Sequence, residues 1–234
     1  MDAVHIEGYL VHTRYAVHIG LILRGKPMPD DLSPRTSAPT DRAPLHVAVI
    51  TGSTRDGRFG PLVSDWIADR VRARADMSLD VIDLVATPLP TVMPAFGTPP
   101  PAETIALLAD VSPRLTVADA FVIVTPEYNH SYPASLKNAV DWHGPEWQAK
   151  PVGFVSYGGL SGGLRAVEHL RPVLAELHAV TIRDTVSFHN AWGSFGEGGS
   201  VDPAAEAAAK GFLDQLTWWG RALRSAKSVH PYVA

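Results

Sequence analysis

The chain has 234 residues, 46% of them hydrophobic, with 20 basic and 24 acidic residues and a net charge of −4. Mean hydropathy is close to zero at +0.03, which describes a soluble globular protein with material for a large core, and nothing in the charge balance suggests nucleic acid or an anionic membrane as partner. Cysteine is absent, which excludes disulfides, thiolate metal sites and a cysteine nucleophile, and leaves a reducing cytoplasm as the default location.

The first 44 residues differ from the rest. Tyr9 to Leu23 is moderately apolar but is interrupted by His12, Arg14 and His18, so it is too short and too polar to span a bilayer. It also lacks the basic start and small-residue cleavage site of a signal peptide. Lys26 to Pro44 is rich in Pro, Ser, Thr and Asp and reads as a linker or flexible arm. The expected organisation is therefore an N-terminal extension over 1–44, one domain over 45–225 and a short C-terminal tail over 226–234.

The first regular element is Leu45, Val47, Val49 and Ile50, an apolar β-rich run. It breaks into a polar loop carrying Gly52, Ser53, Thr54, Arg55, Gly57, Arg58 and Gly60, after which Leu62, Val63, Trp66, Ile67 and Val71 recur at helical spacing. A strand, a Gly-rich turn and a helix start form the place where an α/β sheet holds a phosphate. Backbone N–H groups approach the anion, and Arg55 or Arg58 offers a guanidinium fork. The loop matches neither Walker A nor the G-x-G-x-x-G fingerprint. Leu79 to Val85 alternates like a strand. Six prolines within 86–101 forbid a helix or central strand and predict a stiffened surface loop.

Glu103 to Leu115 is helical in pattern, with an interruption expected at Ser112-Pro113. Ala120 to Thr125 is a continuous apolar run, the signature of a buried parallel strand. It ends in Pro126-Glu127-Tyr128-Asn129-His130-Ser131, and Pro133 opens the next helix. Pro151 to Tyr157 is a strand that ends in Gly158-Gly159-Leu160-Ser161-Gly162-Gly163. The following helix contains Pro172, where a kink is expected. Ala179 to Phe188 is the fifth strand, 189–203 a Gly-rich loop, and the last helix sets Ala208, Phe212, Leu216, Trp219 and Leu223 on one face.

Strands alternate with helices five times. The pattern predicts an α/β fold with one five-stranded parallel sheet covered on both faces by right-handed crossovers. In the doubly wound order 2-1-3-4-5 the polar loops after strands 1, 3 and 4 share the carboxyl edge and converge on one crevice. That convergence carries more weight than any single loop.

GSTRDGRFG at 52–60, TPEYNHSYPASLKNAVDW at 125–142 and YGGLSGG at 157–163 together resemble the NADPH-dependent FMN reductase family of flavodoxin-like proteins, which includes quinone, azo-dye and chromate reductases. The resemblance covers about residues 45–225. It implies a flavodoxin-like three-layer sandwich and an FMN site. Ser53, Arg55, Arg58 and Gly60 fall in the family's phosphate loop; Pro126, Glu127, Tyr128 and Asn129 in the segment along the isoalloxazine; Tyr157, Gly158, Gly159 and Ser161 in the loop on its pyrimidine side. It further implies NADPH or NADH as co-substrate, a small-molecule electron acceptor, and a homodimer or homotetramer whose interface includes the helix of Leu136, Asn138 and Trp142. Since the flavin carries the hydride chemistry, no catalytic side chain is assigned. Backbone donors at 128–129 and 157–159 would steady the reduced ring.

Two other classes compete. Gly159-Leu160-Ser161-Gly162-Gly163 fits G-x-S-x-G, with Asp184 or Asp202 and His230 downstream in hydrolase order. The same flavin residues would also serve an electron carrier or sensor without turnover, although no acidic docking run is present. The histidines show no metal-ligand spacing, so no metal is expected.

Overall fold

A computed structural model describes residues 43–95, 97–196 and 199–233. The expected extension at 1–44 lies outside them except for Ala43 and Pro44. Five strands form one parallel sheet: β1 (Leu45–Thr51), β2 (Met77–Asp83), β3 (Ala120–Pro126), β4 (Pro151–Tyr157) and β5 (Val180–Phe188). Their order is β2-β1-β3-β4-β5, as the sequence predicts. All pairings are parallel.

Strand periodicity explains the layers. Leu45, Val47 and Val49 of β1, with Val122 and Val124 of β3, point to one face; Ala48, Ile50, Phe121 and Ile123 point to the other. On the first face lie α1 (Gly60–Arg72), through Val63 and Ile67, and the last helix, α5 (Pro203–Val229), through Phe212 and Leu216. On the second lie α2 (Ala102–Val117), α3 (Ala134–Asp141) and α4 (Leu164–Glu176), through Leu115, Leu136 and Leu170. The strands are apolar on both faces because both faces are covered.

Several boundaries depart from expectation. β2 starts and ends two residues earlier than the alternation suggests. α2 runs unbroken through Pro113. Proline's fixed φ suits a helix, and the one lost N–H bond is outweighed by Val111 and Leu115, buried in the core on either side of it. α4 also carries its proline, Pro172, inside one continuous helix, at the position where a kink is expected. α5 runs to Val229. The proline-rich connection is pinned to α3, since Asn138 Nδ2 donates to Leu89 O at 2.8 Å and Trp142 Nε1 to Pro90 O at 2.9 Å. Leu136 is buried in the chain's own core, while Asn138 and Trp142 are half-buried.

Candidate functional site

The loops after β1, β3, β4 and β5 meet at the carboxyl edge of the sheet. They enclose a cleft of about 480 Å³ lined by residues 55–59, 126–128, 157–159, Ala191 and Trp192.

The β1 loop is tied at both ends. Gly52 N donates to Val124 O (2.9 Å), and Ser135 Oγ donates to Gly52 O (3.1 Å). Gly57, at φ +64°, permits the turn closed by Arg58 N to Arg55 O. The Arg58 guanidinium closes on Asp83 at the end of β2 in two bonds of 2.7 and 2.6 Å, and also donates to Ser53 O. This pairing raises the Arg58 pKa, chiefly through the Asp83 hydrogen bonds. Arg58 therefore braces the loop, and Arg55 is the guanidinium left exposed beside the cleft. Among the described residues, the N–H groups of Ser53 through Gly57 have no backbone partner.

Below the loop sit two buried hydroxyls. Ser53 Oγ and Tyr157 OH are each sequestered from water without a well-formed hydrogen bond among the described residues. Both crowd Gly60: a Cβ there would overlap Ser53 Oγ and stand 2.9 Å from Tyr157 OH. Burial pushes the Tyr157 phenol up to about 12, with the Ser53 hydroxyl pulling weakly the other way, so the phenol stays a donor at neutral pH. The N-terminus of α1, whose cap residue is Phe59, has no side-chain cap and no acidic residue in its first turn. Orphaned donors at an uncompensated positive helix end form an anion cradle. They fit a phosphate monoester such as that of FMN.

The β3 loop turns tightly. Tyr128 and Ser131 exchange backbone hydrogen bonds of 2.8 and 3.1 Å across Asn129 and His130, both left-handed (φ +47° and +76°), as in a type I′ turn. Glu127 accepts from Ser161 Oγ (2.7 Å) and Arg165 N (3.3 Å), and pairs with the Arg165 guanidinium at 2.5 Å. Burial alone would raise its pKa, but Ser161 and Arg165 outweigh that and hold the carboxyl below its ordinary value. Glu127 thus joins the β3 loop to the β4 loop and the start of α4.

Eight of the twelve residues expected in the site line the cleft: Arg55, Arg58, Pro126, Glu127, Tyr128, Tyr157, Gly158 and Gly159. Ser53 and Gly60 form the buried floor beside it. Asn129 sits at the exposed turn tip, and Ser161 is engaged by Glu127; neither lines the cleft. The hydrolase arrangement does not assemble. Ser161 Oγ donates to a carboxylate instead of an imidazole. Asp202 caps the start of the 27-residue α5, whereas His230 follows its end, which puts them roughly 40 Å apart at 1.5 Å per residue. Asp184 pairs with Arg183.

Three contributors escape a reading of the sequence: Asp83, Phe59 and the Ala191–Trp192 step. The usable signal for the last is a lone tryptophan in a Gly-rich segment at the functional edge of the sheet.

The model of the NADPH-dependent FMN reductase family matches residues 45–193. A NAD(P)H-dependent FMN reductase of Schizosaccharomyces pombe is 36% identical over 121 residues, 50% of this chain and 60% of that protein. A quinone reductase of Escherichia coli K12 is 34% identical over 182 residues, 74% of this chain and 90% of its own. Among solved structures, a flavoenzyme NAD(P)H:(acceptor) oxidoreductase from Paracoccus denitrificans shares the fold with a TM-score of 0.61 at 24% identity, over 76% of this chain and 98% of that one.

Proposed function

The chain belongs to the NADPH-dependent FMN reductase family, and from that premise we propose that its cleft passes reducing equivalents from NAD(P)H, through bound FMN, to a small acceptor of the quinone or azo class by ping-pong exchange. The observation that carries this reading is the pair of orphaned hydroxyls, Ser53 Oγ and Tyr157 OH, beneath the open N-terminus of α1.

When bound, FMN supplies hydride acceptance and donation. The chain's own residues do the rest. Ser53, Tyr157 and the unpartnered N–H groups of Ser53–Gly57 hold the phosphate, and Arg55 adds charge from the rim. Arg58 keeps the loop closed by holding Asp83 and Ser53 O. The 126–128 and 157–159 segments give the ring two walls whose spacing is fixed by Glu127 N donating to Tyr157 O (3.2 Å) and by the Glu127–Ser161–Arg165 junction. Gly159, where a Cβ would meet nothing within 4 Å, leaves backbone open to a flat ligand. No side chain is required as a proton donor.

One cleft serves nicotinamide and acceptor in turn. Initial rates measured at several fixed acceptor concentrations should therefore give parallel double-reciprocal lines. Intersecting lines would mean that both substrates are held together, and would sink the shared-cleft mechanism.

A further inference from the structure

Trp192 is 73% exposed, yet it is mounted on rigid backbone. Its neighbour Ala191 is buried. Ala191 N donates to Gly158 O (3.0 Å), Asn190 N to Gly159 O (2.8 Å) and Gly193 N to Asn190 O (2.9 Å). Asn190 takes the left-handed conformation that starts the turn (φ +46°, ψ +53°), and Ser194 Oγ closes it on His189 O at 3.0 Å. The turn is thereby fastened to the Gly158-Gly159 wall of the cleft, and the indole belongs to the cleft lining.

The other described tryptophans do not line the cleft, although Trp218 is itself 64% exposed. Trp66 and Trp147 are buried, Trp142 holds Pro90 O, and Trp218 meets Trp219 edge to face at 5.0 Å. The Trp192 side chain is largely open to solvent at the cleft. An aromatic side chain in the lining of a cleft that also presents a few convergent polar groups offers contact area to a flat ligand. An electron-rich indole stacks best on a flat, electron-poor ring.

We infer that Trp192 is the stacking face for flat, electron-poor ring acceptors of the quinone class, and that it sets the preference for them over oxidants with no flat ring. The inference rests on the flavin-reductase reading of the cleft.

The test compares FMN-loaded wild type, Trp192→Ala and Trp192→Phe. Binding of 1,4-naphthoquinone to the oxidised proteins is measured by calorimetry with no reductant present. Trp192→Ala should weaken binding about five- to tenfold, the size of a lost aromatic pair, while Trp192→Phe should stay within about twofold of wild type. With NADPH added, the ratio of kcat/KM for naphthoquinone to that for ferricyanide should fall by a similar factor in Trp192→Ala. Equal naphthoquinone affinity in wild type and Trp192→Ala would overturn the inference while leaving the flavin reading intact. So would loss of FMN from Trp192→Ala, which would make the indole a flavin contact, or a changed oligomeric state, which would make it an interface residue. A wild-type chain that takes up no FMN would overturn the flavin reading and the inference with it.

Discussion

Replacing Gly60 with alanine tests the anion cradle at its tightest point. The added methyl would overlap Ser53 Oγ, lie 2.9 Å from Tyr157 OH and 3.3 Å from Thr51 Cγ2. Something must shift, and the groups closest to it are the two hydroxyls assigned to the phosphate. A charge-assisted hydrogen bond is worth about 1.5–3 kcal/mol, so displacing one hydroxyl should weaken FMN binding roughly 10- to 150-fold. The fold should survive, because overpacking at one buried position costs about 1–3 kcal/mol. Titrating the apoprotein with FMN and following flavin fluorescence reads the affinity, and a thermal melt of the same apoprotein reads the stability. Gly211→Ala on α5 is the control, since its Cβ would meet nothing within 4 Å and it lies outside the cleft. A folded Gly60→Ala protein with wild-type FMN affinity would refute the assignment of Ser53 and Tyr157 to the phosphate.

Other outcomes separate the remaining roles. Arg55→Ala should weaken FMN binding with little effect on melting temperature, whereas Arg58→Ala should lower the melting temperature first, because its fork is closed on Asp83; the reverse ranking in a paired melt and FMN titration would reassign the two arginines. Ser161→Ala should show no esterase activity to lose against a p-nitrophenyl ester and should keep its flavin, losing no more than about 3 kcal/mol of stability from its bond to Glu127. Lys150 is 7% exposed and donates to Leu115 O and Thr116 O, both at 2.8 Å. Burial first, with Lys227 adding repulsion, pulls its ammonium down to about 8. Its folded pKa thus lies below the ordinary 10.5. Between those values the unfolded chain binds a proton that the folded chain has shed. This group's share of stability is therefore fully present above pH 10.5 and is lost as pH falls to about 8. Side-chain NMR of Lys150 should show a midpoint near 8, and one above 10 would contradict the burial argument.

The sheet and its order were legible because the signals are local and repeated. Apolar runs such as Ala120 to Thr125 read as strands covered on both faces, and alternation with helices leaves few topologies. Convergence of the 52–60, 126–129 and 157–161 loops followed from that topology. What stayed hidden is set by distant partners. Nothing near Arg58 announces that Asp83, 25 residues on, will take its fork. Glu127 finds Ser161 and Arg165 only when two loops meet. Pro113 looks like a helix break in sequence because proline's cost is local, whereas the burial of Val111 and Leu115 that overrides it is tertiary. Trp192 gives no signal in the sequence because a Gly-rich segment carries no periodicity, and the bonds from Asn190 and Ala191 to Gly159 and Gly158 bring it to the cleft.

The most direct test of the central claim is the visible spectrum of the purified protein, followed by identification of the chromophore released on denaturation. A yellow protein that releases stoichiometric FMN and bleaches on addition of NADPH or NADH is the expected result. A colourless protein that also fails to take up added FMN would contradict the account, because the cradle of Ser53, Tyr157 and the α1 N-terminus would then hold some other anion.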